Sequence, residues 1–384
     1  MLVCIARRDT DRDELRSLVR QQIDWDYVIA LAYAHGLLPL LQKHLATTAS
    51  DLVPTHVLSQ LKRESVANLQ NVLHLTGKQL HVYKTFKRFN IAVALFKGPS
   101  LAQMAYGELS LRQAGDIDVL IARHDFGAAR CVLEALGYEM MPELTREQLD
   151  SHLNNHCEIQ FVRDDTLTVV DLHWDLAPRS FAFGVKAHEV MSRLQSVSLA
   201  GTTVETFGAE DLILYQAMHG AKHLWRRLEW ISCLAESLRA TPAIDWNVLV
   251  ERAAHGHATR MLALGLRLIE EFSDVVVPSE VLASVDPDNA MQRMATQIRS
   301  ELFTTFGPAG STETNLYNLR IMDRKRDALV SALRSIFVPT LPDWQSLALP
   351  ASLHSLYYAY RPLRLSKTYS TALWRRLRPR RRDA

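Results

Sequence analysis

The feature that most limits the possible folds lies between about residues 90 and 180, where short apolar runs alternate with helical patterns. IAVALFKG (91–98) is a β-branched, apolar run ending in glycine and predicts a buried strand. A helical pattern follows, then the strand-like DIDVLI (116–121), then a helix that Gly137 should end. CEIQFVR and LTVVDLHWDL predict two more strands, joined by the turn-like RDDT. The order β-α-β-α-β-β predicts an α+β fold with a small mixed sheet.

Helical patterns flank this unit on both sides. From about residue 10 to 90, apolar positions recur at three- and four-residue spacing until Asn90 interrupts them. The stretch 204–238 predicts one long helix or two successive ones, and further helices follow to about residue 305. GPAGSTETN (307–315) predicts a loop, and the proline-punctuated stretch 341–367 predicts a C-terminal wrap of short helices. We expect five regions: a helical N-terminal region (1–89), an α/β core (90–205), a helical domain (206–305), a C-terminal wrap (306–370) and a disordered basic tail (371–384).

Two aspartates interrupt the apolar run DIDVLI. In a strand, Asp116 and Asp118 point to one face, while Ile117 and Val119 point to the other face and into a core. Neighbouring carboxylates repel each other, so one is protonated or both bind cations. Phosphoryl-transfer sites hold Mg²⁺ with one or two carboxylates, and a pair of ions can stabilise both the attacking and the leaving oxygen. The pair therefore predicts a metal site, although solvated acids at a strand end remain the alternative.

Basic and polar residues near these acids suit a phosphate. Lys97 and Gly98 end one strand just before a helix start, where backbone N–H groups can face phosphate oxygens. Ser100 offers a further contact, and Arg112 stands before the acids, where a guanidinium could clamp a polyphosphate. A third acid, Asp171, lies on a later strand and shares a face with His173.

These motifs together resemble the polymerase-β-like nucleotidyltransferase superfamily and, more closely, the bacterial family of uncharacterised nucleotidyltransferases. The likeness is carried by FKGPSLAQMAYGELSLRQAGDIDVLI, VVDLHWDL, HGAKHLWRRLEWI and YYAYRPLRL, over roughly residues 25 to 370. It implies a polymerase-β-like core with Asp116, Asp118 and Asp171 as catalytic acids and metal ligands, and Mg²⁺ or Mn²⁺ as cofactor. The residues expected to bind the nucleotide are Lys97, Gly98, Ser100, Arg112, His173, His219, His223 and Arg227.

The sequence departs from the family pattern at two positions. Pro99 separates Gly98 from Ser100, and the gap from Ser100 to Asp116 is long for the superfamily. Cys233 stands three residues after Trp230, where family members often have aspartate. These departures concern the triphosphate contacts more than the three acids.

His219 and His223 are four residues apart on one predicted helix, close to several basic residues. That spacing would let both bind one metal ion, or let the helix face the nucleotide. The alternative is a core-facing stripe that includes Tyr215. The sequence favours neither interpretation.

Composition is that of a soluble globular protein, with 48% hydrophobic and 22% charged residues among 384. The net charge of +2 is uneven, because the last ten residues alone contribute +5. That tail could contact nucleic acid or anionic lipid, although a solvated end is the commoner meaning. No apolar run is long enough to span a membrane, the charged N-terminus lacks a signal-peptide core, and the four cysteines form no framework spacing. We therefore expect a cytoplasmic protein with free thiols.

The leading hypothesis is a Mg²⁺-dependent nucleotidyltransferase that moves a nucleoside monophosphate from an NTP, with ATP preferred, to a hydroxyl group and releases pyrophosphate. The acceptor is expected to be a small molecule, a sugar or a peptide. One alternative is a nucleotide-binding adaptor of the same fold without turnover. Another is a nucleotidyltransferase of the toxin–antitoxin or nucleic-acid-modifying kind, with the arginine tail as the nucleic-acid contact.

Overall fold

The computed structural model of the chain describes residues 1–165, 168–303 and 311–377. The helices in these ranges are α1 (Leu2–Ile5), α2 (Arg12–Val19), α3 (Trp25–Ala34), α4 (Leu38–Thr48), α5 (Thr55–Arg88), α6 (Gly98–Tyr106), α7 (Phe126–Ala135), α8 (Arg146–Asn155), α9 (Ala187–Met191), α10 (Ala209–Lys222), α11 (Leu228–Ala240), α12 (Trp246–His255), α13 (Thr259–Phe272), α14 (Ser279–Val285), α15 (Ala290–Glu301), α16 (Ser311–Ile321), α17 (Lys325–Phe337), α18 (Leu341–Ser346) and α19 (Tyr357–Leu377). The strands are β1 (Val93–Leu95), β2 (Ile117–Ile121), β3 (Glu139–Met141), β4 (Glu158–Arg163), β5 (Thr168–His173), β6 (Gln195–Leu199) and β7 (Thr202–Thr206).

Five of the strands form one mixed sheet in the order β1-β2-β5-β4-β3. β2 and β5 run parallel, and the other neighbouring pairs are antiparallel. The α+β class, the mixed sheet and the four predicted strands are confirmed. Asp118 lies directly opposite Asp171 in the β2–β5 register, because the two strands pair from Ile117 opposite Val170 onwards.

Several elements in and after this unit were not predicted: β3, α8, α9 and the strands β6 and β7. The predicted helix ends at Ala135, followed by Gly137 at φ +81° as expected, and β3 begins at Glu139. β3 is only three residues long, and α8 lies between it and β4. β6 and β7 form a separate hairpin whose turn holds Ala200 and Gly201 at positive φ. Their mixed polar sequence lacks the apolar run that marked the buried strands.

The described residues contain two large hydrophobic clusters. One fills the space between the sheet and α5 and α7, and includes Ile117, Val119 and Ile121 on one face of β2. The other joins the N-terminal helices α1 to α4 to the helices α10 to α15, and includes Leu120 from the opposite face of β2. The strand β2 therefore lies between two apolar cores, which is why its polar residues on the second face are buried.

The helical flanks agree with the sequence in part. The N-terminal helices and the pair α10 and α11 are confirmed. The predicted loop at 307–315 is wrong from Ser311, where α16 begins, and residues 304–310 lie outside the described chain. The predicted wrap of short helices ends instead in α19, which is 21 residues long. The predicted disordered tail at 371–384 is helical up to Leu377, and residues 378–384 lie outside the described chain.

The five-region division of the chain stays a prediction. Among the described residues, no helix combines the length and the apolar character that crossing a bilayer requires.

Candidate active site

Asp116 and Asp118 stand at the start of β2, on the face that points toward the helical cluster. Asp116 directly precedes the strand and Asp118 is its second residue, so the period of two places both on one side. Asp171 enters from β5, the parallel neighbour, opposite Asp118. The structure thus brings together the three acids that the sequence singled out.

Asp118 is the most buried of the three acids, with 2% of its surface exposed. Its Oδ1 accepts a hydrogen bond from Lys97 Nζ at 2.8 Å and lies 3.0 Å from His173 Nε2. Burial acts to raise the pKa of Asp118, but the charge of Lys97 and the hydrogen bond from His173 outweigh it and hold that pKa well below its usual range. Burial likewise acts to lower the pKa of Lys97, yet the charge of Asp118 keeps it well above its ordinary value. The pair is therefore a buried ion pair.

His173 connects Asp118 to a fourth carboxylate. Its Nδ1 lies 3.0 Å from Glu158 Oε2, and Glu158 is directly opposite His173 in the β4–β5 ladder. The charge of His173 lowers the pKa of Glu158, against the effect of its burial. Glu158 was not predicted as a site residue, although counting the register back from the short RDDT turn would have placed it there. His173, expected to contact nucleotide, is buried behind Asp118 instead.

Asp171 and Asp116 have the opposite electrostatic character. Burial, followed by the charge of Asp118, raises the pKa of Asp171, and its Oδ1 is buried without a hydrogen-bond partner among the described residues. Burial, followed by the charges of Asp118 and Asp171, raises the pKa of Asp116 to about 6. At both carboxylates, burial and the neighbouring negative charges therefore outweigh the nearby cations, Lys97 among them.

These groups fit a divalent cation. Ligand atoms of Asp118, Asp171 and His173 lie within 4.8 Å of one another, and Asp116 stands two residues from Asp118 on the same face. Carboxylate oxygens are the preferred ligands of Mg²⁺ and Mn²⁺, and the buried oxygen of Asp171 without a hydrogen bond is a free ligand position. Two parts of the set already have partners within the chain: Asp118 Oδ1 contacts Lys97 and His173, and His173 also contacts Glu158.

Two of the acids, Asp116 and Asp118, line a cleft of about 660 Å³, and Asp171 lies opposite Asp118 in the sheet. The basic wall of the cleft is formed by Arg112 and Arg227, which share the carboxylate of Glu229 at 3.2 Å and 2.8 Å. Burial acts to lower the pKa of Arg112, but Glu229 outweighs it and raises that pKa. Glu229 is thus a second unpredicted residue, and it orients both guanidinium groups toward one space.

His219 and His223 also line the cleft. Their ring centroids lie 4.7 Å apart, and both rings contact Trp230. Burial, then the charge of Lys97, lowers the pKa of His219 well below its ordinary value, and burial lowers the pKa of His223 to about 4. Both are therefore neutral near pH 7. The ring centroid of His219 also lies 6.0 Å from that of Tyr215, in a stacked arrangement. The histidines therefore both face the cleft and pack against aromatic side chains, so each of the two interpretations is correct in part.

The three residues of the predicted phosphate-binding turn, Gly98, Pro99 and Ser100, have different structural roles. Gly98 adopts φ +57°, where a Cβ would lie 3.4 Å from the backbone oxygen of Asp116, so this glycine permits the close approach of the two segments. Ser100 is fully buried and donates its hydroxyl to the carbonyl oxygen of Lys97, so it does not line the cleft. Pro99 occupies the first turn of α6, where a missing N–H costs nothing.

Two asparagines of α5 brace the loop that leads to the acids. Asn68 Nδ2 donates to the carbonyl oxygen of Ser110 at 3.1 Å, and Asn71 Nδ2 donates to that of Ala114 at 2.7 Å. Both line the cleft. Nothing in the helical pattern of α5 indicated this role, because the contacts depend on how the helix packs on the sheet.

Cys233, which stands where the family often has aspartate, is buried against Arg112 and Tyr106. Burial raises the pKa of its thiol, so it supplies no negative charge to Arg112. The carboxylate beside Arg112 comes from Glu229, one helical turn earlier.

Comparison with known proteins gives one family and one solved structure. The family model described as "Uncharacterised nucleotidyltransferase" matches residues 21–274, about two thirds of the chain. The solved structure is described as that of the antibiotic-resistance factor ANT(2'')-Ia; it is 15% identical, and the match covers 49% of this chain and 91% of that chain with a TM-score of 0.33. That score is too low to support an argument about fold. No curated protein matches the chain.

Proposed function

The chain belongs to the uncharacterised nucleotidyltransferase family, and from this premise we propose that it moves a nucleoside monophosphate from an NTP to a hydroxyl group of an acceptor. The family confirms the resemblance drawn from the sequence and identifies the protein as a nucleotidyltransferase. The proposal adds Mg²⁺ dependence, ATP as the preferred donor, a polymerase-β-like core for the sheet, and the residues that act.

The observation that carries the proposal is the register of two parallel strands. It sets Asp118 opposite Asp171, with Asp116 on the same face, and Asp116 and Asp118 line a cleft walled by Arg112 and Arg227. A metal ion bound by these three acids would neutralise negative charge on the phosphates and lower the pKa of the attacking hydroxyl. Mg²⁺ or Mn²⁺ suits the oxygen donors.

The chain's own residues supply the remaining steps. The acceptor oxygen forms a bond to the α-phosphorus, the bond from that phosphorus to pyrophosphate breaks, and the hydroxyl proton passes to Asp171. We assign this proton to Asp171 because its raised pKa makes it the better base of the two acids that face each other. Arg112 and Arg227 orient the triphosphate and offset the charge that builds on the leaving group.

The acceptor is proposed to be a small molecule, a sugar or a peptide. Outside the last ten residues the chain carries a net charge of about −3 (2 − 5), which does not favour a nucleic-acid acceptor. The cytoplasm, where NTPs and Mg²⁺ are abundant, is the proposed location.

The test is incubation with labelled NTPs and MgCl₂, with pyrophosphate release and nucleotide transfer as readouts. The double variant Asp116→Ala/Asp118→Ala should lose both activities, while Asp164→Ala, an exposed acid in the β4–β5 turn, should keep them. Equal activity in wild type and the double variant would exclude catalysis at this site.

One observation favours a second candidate function, a nucleotide-binding adaptor without turnover. Lys97 Nζ and His173 Nε2 already contact Asp118 Oδ1, one of the two oxygens that Asp118 could offer a metal ion. Titration calorimetry distinguishes the two: an adaptor would bind an NTP with measurable affinity and release no pyrophosphate.

A further inference from the structure

α17 buries its small and polar residues rather than its leucines. Ala328 and Ser331 are the buried residues of this helix. Ser331 donates its hydroxyl to the carbonyl oxygen of Ser180, and the carbonyl oxygen of Ser335 accepts a hydrogen bond from Arg361 Nη2 at 2.8 Å. The face of α17 that packs on the protein is therefore held by hydrogen bonds and small side chains.

The opposite face of α17 is apolar and exposed. Leu329, Leu333, Ile336 and Phe337 are 60%, 45%, 42% and 44% exposed. At 100° per residue they fall within an arc of about 100°, roughly opposite the buried face. We call these four residues the α17 stripe. Helices of globular proteins normally turn such an arc inward, so the stripe has the form of a surface that another body covers.

Exposed apolar side chains are also frequent elsewhere in this part of the chain. Of the nineteen large hydrophobic side chains that are exposed among the described residues, eleven lie between residues 316 and 363. Of the remaining eight, three lie on α5 (Val66, Leu69 and Leu73), and the other five are scattered over the rest of the described chain. Exposure of large apolar side chains is therefore concentrated at the C-terminal end of the described chain.

The same end of the chain carries a strong positive charge. Residues 324–384 contain thirteen arginines and lysines and three aspartates, a net charge of +10, so the first 323 residues carry −8 (2 − 10). One of the three aspartates, Asp343, is already neutralised by Arg361 and Arg364. An apolar surface and a dense positive charge thus occur in one sixth of the sequence.

We propose that this C-terminal segment binds the surface of an anionic lipid membrane. The α17 stripe enters the boundary between headgroups and acyl chains, and the arginines approach the lipid phosphates. A nucleic acid would use the arginines but would gain nothing from exposed leucines, and a dimer formed by contact between two stripes would bring two +10 segments together. The inference does not depend on the proposed chemistry, because the stripe lies outside the residues that line the cleft.

The experiment is co-sedimentation of the full chain with vesicles of phosphatidylcholine alone or mixed with phosphatidylglycerol. We expect binding to the mixed vesicles, weakened by salt, and little binding to phosphatidylcholine alone. Leu329→Glu/Leu333→Glu should lower the association constant about tenfold or more, since two charges replace inserted leucines. Lys325→Gln/Arg326→Gln, at exposed basic residues in the first turn of α17, should lower it about fivefold per residue at low salt.

The matched control is Leu73→Glu, which places the same charge at a leucine of α5 that is 52% exposed. It should bind vesicles as wild type does, and all variants should keep the wild-type circular dichroism spectrum. The inference is overturned if no vesicle binds, if Leu73→Glu weakens binding as much as the stripe variant, or if the stripe variant binds normally. It is also overturned if light scattering shows a dimer that the stripe variant dissociates, because a second copy would then cover the stripe.

Discussion

The buried acids of β2 and β5 and the leucines of the α17 stripe are in opposite kinds of unfavourable surroundings. We call these acids, Asp116, Asp118 and Asp171, the β2–β5 edge. At the edge, a carboxylate is 2% exposed; on the stripe, a leucine is 60% exposed. The edge compensates its charge from within the chain, through Lys97 and His173 on Asp118. The stripe has no such compensation among the described residues. The comparison teaches that buried Asp118 is stabilised by partners within the chain, whereas Asp116, Asp171 and the exposed leucines call for something outside the chain, a cation at the edge and a surface at the stripe.

The largest expected effect separates activity from stability at the edge. Asp171→Asn should lower nucleotide transfer about 1,000-fold, because it removes a proposed ligand and base. The same variant should unfold at a higher urea concentration than wild type in the absence of metal, since the pKa of Asp171 is raised and its charged form destabilises the fold at pH 7. Transfer assays and urea titration with EDTA measure the two effects.

Asp164→Asn is the control for this variant, because the same change is made at an exposed acid of the same sheet. It should alter neither quantity. A less stable Asp171→Asn variant would mean that Asp171 is an ordinary structural carboxylate. The edge would then no longer be distinguished from the rest of the fold as a functional site.

The next effect tests whether the edge is compensated internally. Lys97→Met removes one partner of a buried ion pair and should cost about 3 kcal/mol of unfolding free energy, because Asp118 is left without its main counter-charge. Lys87→Met breaks an exposed pair with Glu205 and should cost less than about 1 kcal/mol. Added MgCl₂ should stabilise Lys97→Met more than wild type, as the cation replaces the lost charge. Equal losses in the two variants would show that burial of the edge is of no energetic consequence.

The two regions also differ in how far the sequence predicted them. The acids of the edge could be predicted from the sequence because acids inside an apolar run are rare. The two-residue period of a β-strand then places Asp116 and Asp118 on the same face. The residues around these acids could be predicted only in part. Glu158 follows from the β4–β5 register. Glu229, Asn68 and Asn71 reach the cleft through helix packing, which no local sequence pattern predicts.

The stripe was not predicted at all. A helical period shows that a helix has an apolar face, but it does not show whether that face points inward. For α17 the answer depends on Ser331 and Ser335, whose hydrogen bonds to the chain fix the orientation of the helix. The arginine tail was noted, but its relation to an exposed apolar face appears only when burial is known.

A third prediction uses the pH dependence of stability to test whether Asp116 is a buried acid of the edge. The pKa of Asp116 is about 6 in the folded protein, above its ordinary value, so its proton stabilises the fold below about pH 4 and that contribution is lost as pH rises through 6. Without metal, wild type should lose about 2 kcal/mol relative to Asp116→Asn between pH 4 and pH 7. Urea titrations of both proteins across this range measure the difference. A constant difference would mean that Asp116 is solvated and not part of a buried acidic set.

The smallest change in unfolding free energy is expected for substitutions on the stripe, because its side chains are already exposed to water. Leu329→Ser should change the unfolding free energy by less than about 0.5 kcal/mol, because the side chain is already largely in water. Leu133→Ala, at a fully buried leucine of α7, should cost about 2–5 kcal/mol. Thermal and urea unfolding of both variants measure the contrast. If Leu329→Ser is as costly as Leu133→Ala, the leucine packs against the chain itself, and the stripe would have an internal partner as the edge does. A near-zero cost leaves the exposed leucines without a role in folding, which is the condition under which a surface outside the chain explains them.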